Sequence, residues 1–484
     1  MDLIVVNVDR EGFEYDIHSL FKAFYHEYEV KVCNRSENIS SSEGAPEFTI
    51  SFDRDNIFIT LICGDFMSRK ISIDGINDTS VIKNLMKKLI YECLHEITGK
   101  DLPWGILTGI RPTKIAMGLL KDGASEDEAS EYMKDVYLLS DEKCSLAIDI
   151  AKRERALLDT IHYENGYSLY IGIPFCPTTC LYCSFTSYPI GKYKDYVMDY
   201  LDALFKELDY VAEANGDKIL DSIYIGGGTP TSIEADDLER LLKKVTETFD
   251  LSNVKEFTLE AGRPDSITEE KLKVMKKYNV SRISINPQTM NQKTLDFIGR
   301  RHRVEDIVNI FDLARKTGLL NINMDIILGL PGEGEDEVRH TIEEIKKLNP
   351  ENLTVHSLAI KRASRLSEWI KENGVSALNN TDETMKIAFD GAKDMGMVPY
   401  YLYRQKNMSG NFENVGFAKE GHFGIYNILI MEEVQTIIAC GAGTVTKRVF
   451  KDGRIERCDN VKDVLLYIDK IDEMIDRKRK LFGV

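Results

Sequence analysis

Three cysteines fall within eight residues, in Cys176-Pro-Thr-Thr-Cys180-Leu-Tyr-Cys183. Thiolates spaced C-x3-C-x2-C can converge from a single loop on one iron–sulfur cluster. A zinc site would want four ligands in a closed shell, and no histidine or fourth cysteine stands near. Three ligands on a four-iron cluster leave one iron open, which a reactive site can use. Cys176, Cys180 and Cys183 are therefore the expected ligands of a [4Fe–4S] cluster. The other six cysteines are scattered, and Cys93, at helical spacing from Leu85 and Leu89, reads as a small buried hydrophobe.

Further candidates stand downstream. Gly226-Gly227-Gly228-Thr229-Pro230 ends an apolar run, and glycines there let a ligand or a neighbouring backbone come close. Glu260 and Gln288 end two later runs. Asp325 sits among Ile, Met and Leu, where a carboxylate is costly unless paired or bound. Gly299-Arg300-Arg301-His302 could be a binding loop or a solvated helix end. Lys361, Arg362 and Arg365 offer positive charge beyond the last of these runs. Tyr400 to Asn407 and Asn411 to Asn414 mix aromatics with polar groups, as a flat polycarboxylate would want, or as a strand and turn would. Gly441-Ala442-Gly443-Thr444 reads as a close-approach loop or a turn, and Arg111 and Lys114 around Pro112 as a helix start.

The elements that must position these residues can be read from periodicity. Apolar strands are predicted at 168–174, 222–228, 256–262, 282–288, 322–330 and 352–358, with amphipathic helices between them. Val197, Leu201, Leu204, Leu208 and Val211 share one helical face, as do Ile307, Ile310, Phe311 and Ala314. Strands alternating with helices predict a parallel α/β sheet, and six units rather than eight predict an incomplete (βα)6 barrel. In such folds chemistry gathers at the C-terminal ends of the strands, where the residues above should lie. Before it, residues 1–160 read as an α+β domain with connecting helices. Its strands are expected at Leu3–Val8, Phe48–Phe52, Ile57–Cys63 and Lys70–Asp74, with a polar loop over 36–46 and a long helix within 140–161. The barrel is placed at 161–395 and a small C-terminal, substrate-side domain at 396–484.

The net charge is −17, which weighs against nucleic acid as a substrate, because phosphate recognition usually needs a basic face. No window is long and apolar enough for a membrane span, and MDLIVVNVDR does not read as a signal peptide. A cytoplasmic protein is expected.

Together these residues resemble the radical S-adenosylmethionine (SAM) superfamily, and more narrowly the oxygen-independent coproporphyrinogen III oxidases and their relatives. The motifs are Y-x-x-I-P-F-C-x3-C-x-Y-C, G-G-G-T-P-T, the Glu256–Glu260 strand, R-I-S-x-x-x-Q followed by G-R, and Asp325 to Pro331. They run from about Ser168 to Ala359. L-T-G-I-R-P-T-K (107–114) and the N-terminal domain look like the HemZ branch of that group.

The resemblance implies that SAM chelates the open iron and that Tyr170, Tyr182, Gly227, Gly228, Thr229, Glu260, Gln288, Arg300, Asp325 and Ala359 line its site, with a second SAM left open. It implies a 5′-deoxyadenosyl radical, formed as methionine leaves SAM, and in the oxidase hydrogen abstraction from a propionate, with loss of carbon dioxide and an electron to leave a vinyl group. A tetrapyrrole such as coproporphyrinogen III is the implied substrate, in haem biosynthesis, and flavodoxin or ferredoxin the implied electron donor. Two positions depart from the oxidase pattern. Phe185 replaces a further cysteine, as in the haem-chaperone relatives, and Gly172 replaces a histidine.

Overall fold

The computed structural model describes residues 2–34, 40–62, 67–109, 111–184, 187–361, 364–374, 378–405 and 412–483. They form two compact units, one of Met1–Lys152, Ile370–Ala377 and Tyr403–Glu413, the other of Arg153–Trp369, Leu378–Leu402 and Asn414–Val484.

The first unit holds β1 (Leu3–Val8), α1 (Glu14–Phe24), β2 (Glu29–Asn34), β3 (Glu47–Phe52), β4 (Asn56–Ile62), β5 (Met67–Ser72) and α2 (Thr79–Thr98). The sheet order is β2-β1-β3-β4-β5. β1 pairs in parallel with β2 and β3, while β3, β4 and β5 form an antiparallel meander. The parallel β1–β2 pair needs a crossover, which α1 supplies. α1 buries Ile17, Leu20, Phe21 and Phe24, the helical stripe that packs on Phe48 and Ile50. Periodicity missed β2, whose Glu-Val-Lys-Val-Cys-Asn alternates charge with apolar residues, as an edge strand does. Cys93 is buried in α2 with its thiol pushed up to about 11 by burial, the bland role expected of it. Three helices follow, α3 (Thr113–Lys121), α4 (Glu126–Tyr137) and α5 (Asp141–Leu158). Pro112 directly precedes α3, and Trp104 donates its indole N–H to the buried Glu413, 2.7 Å away.

The second unit is built on one eleven-stranded sheet. Its first strand is β6 (Gly166–Ile173), followed by the short pair β7 (Phe175–Cys176) and β8 (Tyr188–Pro189) and a helical turn, α6 (Ile190–Tyr193). Then come α7 (Val197–Ala214), β9 (Ile219–Gly227), α8 (Ala235–Thr248), β10 (Glu256–Glu260), α9 (Glu269–Lys277) and β11 (Arg282–Ser284). After α10 (Gln292–Phe297) and α11 (Val304–Thr317) lie β12 (Ile322–Leu328), α12 (Glu335–Leu348) and β13 (Asn352–Ser357). The strands β6-β9-β10-β11-β12-β13 are adjacent in chain order and parallel. This is the alternating architecture of a partial barrel, its strands apolar almost throughout because helices cover them. α7 buries Val197, Leu201, Leu204, Leu208 and Val211 as the pattern predicted.

The remaining elements are α13 (Arg365–Asn373), α14 (Asp382–Asp394), β14 (Val398–Tyr403), β15 (Asn414–Ala418), α15 (Ile425–Glu432), β16 (Thr436–Cys440), β17 (Val445–Val449), β18 (Ile455–Asp459), α16 (Val464–Asp469) and α17 (Ile471–Phe482). They extend the same sheet at both edges. β15 runs antiparallel to β13, with β14 beyond it, while β16 runs parallel beside β6 and continues into β17 and β18. Capping both edges with further strands leaves no long unpaired edge beside the barrel.

Candidate radical SAM site

The cluster loop begins where β6 ends. β7 and β8 pair through Phe175 with Tyr188 and Cys176 with Pro189, which closes the loop at its base. Leu181 N–H donates to Ile298 O (3.0 Å), Thr178 Oγ1 to Gly299 O (3.1 Å), and Leu366 N–H to Leu181 O (3.0 Å). The loop is thus anchored by neighbouring segments rather than by a core of its own. Cys176 Sγ lies 3.4 Å from Thr229 Oγ1, and Arg263 Nη1 donates toward Cys180 Sγ at 3.4 Å. Burial pushes the Cys176 thiol up, while the guanidinium of the buried Arg263 favours thiolate character nearby. Phe185 and Arg362 lie outside the described residues.

The glycine run closes against this loop. Gly228 N–H donates to Ile173 O (2.8 Å) and Thr229 N–H to Phe175 O (2.7 Å). A Cβ on Gly228 would stand 2.6 Å from Phe175 O, so here the chain's own backbone demands glycine. Gly227 adopts φ +105°, open to glycine alone at little cost.

On the next strands polar groups face one another. Glu260 ends β10 and accepts the phenol O–H of Tyr224 from β9. Burial pushes its carboxyl up to about 7, opposed by the Tyr224 bond and raised further by Asp325. Three tyrosine rings stack beside it: Tyr224 and Tyr426 at 4.4 Å, Tyr170 and Tyr426 at 5.8 Å, Tyr170 and Tyr224 at 6.0 Å. Gln288 holds φ +67°, unusual for a non-glycine residue, and its Oε1 is buried without a partner. Its backbone stays tied to β12, with Gln288 N–H on Asp325 O and Ile327 N–H on Gln288 O, both 2.9 Å. A left-handed backbone at a non-glycine residue costs free energy and persists here because both backbone bonds to β12 hold it. Burial opposes the charge on Asp325, but bonds from His356, Asn323 and Thr354 win and hold its carboxyl low.

Arg300 is a second buried cation at the cluster loop, beside Arg263. It donates to Asn286 O (2.6 Å), Gly262 O (3.3 Å) and Tyr182 Oη (3.3 Å). Among the described residues no carboxylate pairs with it, and its Nε has no partner. Burial opposes its charge, yet Tyr182 and Cys180 more than restore it. Its neighbour Arg301 is exposed, so the solvated helix end expected there describes Arg301 and not Arg300. Ala359 follows β13, two residues beyond the last β12–β13 pair, while Asp325 pairs with Thr354 inside that ladder.

The structure places Gly227 and Glu260 at the ends of β9 and β10, Tyr170 and Asp325 within β6 and β12, and Tyr182, Gly228, Thr229, Gln288, Arg300 and Ala359 in connecting segments. It leaves others aside. Tyr400 and Tyr401 are buried in β14, Tyr400 stacking on Phe423 at 5.4 Å, so they are core. Lys406, Asn407 and Asn411 lie outside the described residues, and Arg365 donates to Thr179 O at 2.6 Å. Gly441 is a close-approach glycine. At φ +104° its Cβ would stand 2.4 Å from Gly172 O. A Cβ on Gly172 would in turn meet Thr444 Cγ2 at 2.5 Å, which accounts for glycine at that departure from the oxidase pattern. Sequence reasoning missed Tyr224, Asn286 and Arg263. The Tyr in an apolar strand and the Gly-Arg-Pro after β10 were the available signals.

A model of the Radical SAM superfamily matches residues 170–345. An oxygen-independent coproporphyrinogen-III oxidase-like protein, HemZ of Bacillus subtilis, is 45% identical over 82% of this chain and 81% of its own. The haem chaperone HemW of the same organism is 37% identical over 40% of this chain and 51% of its own. The structure of coproporphyrinogen III oxidase (HemN) from Escherichia coli, described as a radical SAM enzyme, is similar at a TM-score of 0.52 and 20% identity, over 66% of this chain and 73% of that one.

Proteins of that superfamily use a [4Fe–4S] cluster and SAM. The residues present suit both. Among the described residues no three His, Cys, Asp or Glu side chains gather closely enough for a single metal ion, whereas a four-iron cube holds its thiolates farther apart. Unpartnered buried atoms at the strand ends (Gln288 Oε1, Asn286 Oδ1, Ser284 Oγ and Arg300 Nε) await a polar ligand.

Proposed function

This chain belongs to the radical SAM superfamily, among the oxygen-independent coproporphyrinogen III oxidase-like proteins of the HemZ type, and on that premise we propose that it oxidatively decarboxylates propionate side chains of coproporphyrinogen III to vinyl groups. The observation that carries the radical half of this reading is the buried, carboxylate-free Arg300 touching Tyr182 of the cluster loop. The tetrapyrrole half is supported by similarity along four-fifths of an oxidase-like protein.

Cys176, Cys180 and Cys183 would hold the cluster. Held there, the cluster would supply one electron to SAM, cleaving its carbon–sulfur bond to methionine and a 5′-deoxyadenosyl radical. Arg300 presents a guanidinium fork to the ligand's carboxylate. Glu260 and Asp325 accept hydrogen bonds from ribose hydroxyls or the amino group, and Tyr224 fixes the rotamer of Glu260 while the tyrosine stack keeps water from it. Gly228 and Thr229 hold the loop at its working height. The C-terminal part (396–484) is proposed to serve the substrate side of the barrel (161–395), residues 1–160 are proposed to form a separate N-terminal domain, and the protein is proposed to work in the cytoplasm.

A second reading, a haem chaperone without oxidase activity, is favoured by Phe185 and by the similarity to HemW. Anaerobic reconstitution, then mass analysis of products from SAM and coproporphyrinogen III, separates the two. Vinyl product with carbon dioxide release supports the oxidase. SAM cleavage without it, together with stable haem binding, supports the chaperone. Cys176→Ala should lose the cluster, and a full complement of iron in that variant would refute both.

A further inference from the structure

Beside the cluster loop the surface carries a pocket of about 740 Å³ that the proposed chemistry does not use. Its cations are Lys293, Arg301 and Arg303, all exposed, with His340 at the rim and Asp296 and Glu305 as its acids. Among the described residues none of the three cations has a carboxylate within ion-pair distance. Asp296 is engaged by the Gln292 amide at 3.0 Å. In a chain of net charge −17, where many surface cations are matched, this is a place where positive charge is left for something else.

The location says what that is. The pocket is built from both ends of the segment that grips the cluster loop, with Asp296 and Arg301 flanking the Ile298 and Gly299 carbonyls that anchor Leu181 and Thr178. Arg301 is one residue from Arg300, which touches Tyr182, and Arg365 reaches Thr179 O from α13. On the same face Phe297 is 46% exposed and meets Trp369 edge-on at 5.7 Å. The exposed Phe297, backed by the half-buried Trp369 and beside unpaired arginines, has the make-up of a protein-binding patch, an apolar centre with a charged rim.

We propose that this face, centred on Arg301, Arg303, Lys293 and Phe297, docks a small acidic one-electron carrier protein against the outer side of the cluster loop. The carrier is acidic because the patch is cationic within an otherwise repelling, acidic surface, so charge steers it to this face and away from the rest. In the docked complex the reduced carrier would give up one electron to an oxidised cluster held by Cys176, Cys180 and Cys183, with no proton or group moving. The proposal rests on the radical-enzyme reading, because a cluster must stand behind the loop.

The test uses the anaerobically reconstituted protein with an acidic flavodoxin and an acidic ferredoxin as probes. Calorimetry should find at least one carrier binding, more weakly as salt rises. The Arg301→Glu/Arg303→Glu variant should weaken that binding roughly tenfold or more and slow cluster reduction by the carrier, followed by stopped-flow absorbance. Iron content, melting temperature and reduction by dithionite should stay as in the parent, and Lys386→Glu, a reversal on α14, should change nothing. Arg301→Gln/Arg303→Gln should fall between, which guards against a folding artefact of reversal.

Binding of neither carrier, or equal affinity and reduction rate in the reversed variant, overturns the proposal. So does stoichiometric binding of inorganic phosphate that the variants abolish without touching carrier binding, since the pocket is then a small-anion site. Dithionite-driven SAM cleavage tests the underlying reading separately. Its failure would sink that reading while carrier affinity could still be measured.

Discussion

The phenol of Tyr224 donates to the carboxylate of Glu260 across two neighbouring parallel strands, two residues before the glycine turn that meets the cluster loop. This pair couples the barrel wall to the ligand side of the site. Burial raises the Glu260 carboxyl and the Tyr224 bond opposes it, so removing that bond has a sign. Tyr224→Phe should raise the Glu260 pKa above about 7, and the pH midpoint of SAM binding should rise with it. Binding isotherms across neutral pH check this, and an unshifted midpoint would refute the coupling.

The same carboxyl should leave a mark on stability. Its folded pKa, about 7, lies above the ordinary 4.5, so the native state binds the proton more tightly than the unfolded chain does. Without ligand, stability should therefore fall as pH rises from 4.5 through 7, by roughly 3 kcal/mol from this group. Glu260→Gln should flatten that part of the pH dependence in urea titrations.

Arg300→Met should cost the site its fork. A charge-assisted bond is worth about 1.5–3 kcal/mol, so SAM affinity should fall by roughly 10- to 100-fold. Cluster iron should remain near the parent's, because Arg300 reaches the loop through Tyr182 and not as a ligand. Calorimetry and iron analysis together distinguish this from collapse of the loop.

Gly228→Ala should disturb the cluster loop directly. Its Cβ would meet two carbonyl oxygens, Phe175 O at 2.6 Å and Ile173 O at 2.9 Å, so backbone must move. Overpacking of this kind costs about 1–3 kcal/mol. Reduced iron incorporation with a lowered denaturation midpoint is the expected outcome.

Glu207 accepts from Lys478 Nζ (2.6 Å), Asn460 Nδ2 (2.8 Å), Gly441 N–H (2.8 Å) and Tyr467 Oη (2.5 Å), wholly buried. Lys478→Met would leave a buried carboxylate without its cation and should destabilise the protein by about 3–5 kcal/mol. Because Gly441 packs on Gly172 of β6, iron incorporation should fall as well. Denaturation and iron content read the two effects.

Much of this was legible in the chain. Cysteine spacing and the alternation of apolar strands with amphipathic helices are local properties, and α7 and the six barrel strands stand close to where periodicity puts them. Gly227 and Glu260 could be singled out because each ends an apolar run. What the chain could not reveal depended on partners distant in sequence. β2 was hidden because an edge strand need not be apolar. Tyr400 and Tyr401 could as well have been ligand-facing until their burial in β14 decided it. Arg300 and Arg301 are adjacent cations in sequence, and only the fold buries one against the Asn286 and Gly262 carbonyls and leaves the other in solvent.

By itself, then, the sequence determined the parallel architecture and singled out the cysteine loop proposed to hold the cluster, because spacing and periodicity are written over a few turns of chain. The tertiary structure alone decided which charges are paired, which glycines yield to backbone rather than to ligand, and which face keeps unpaired cations. Those outcomes depend on desolvation and close approach between segments far apart in sequence.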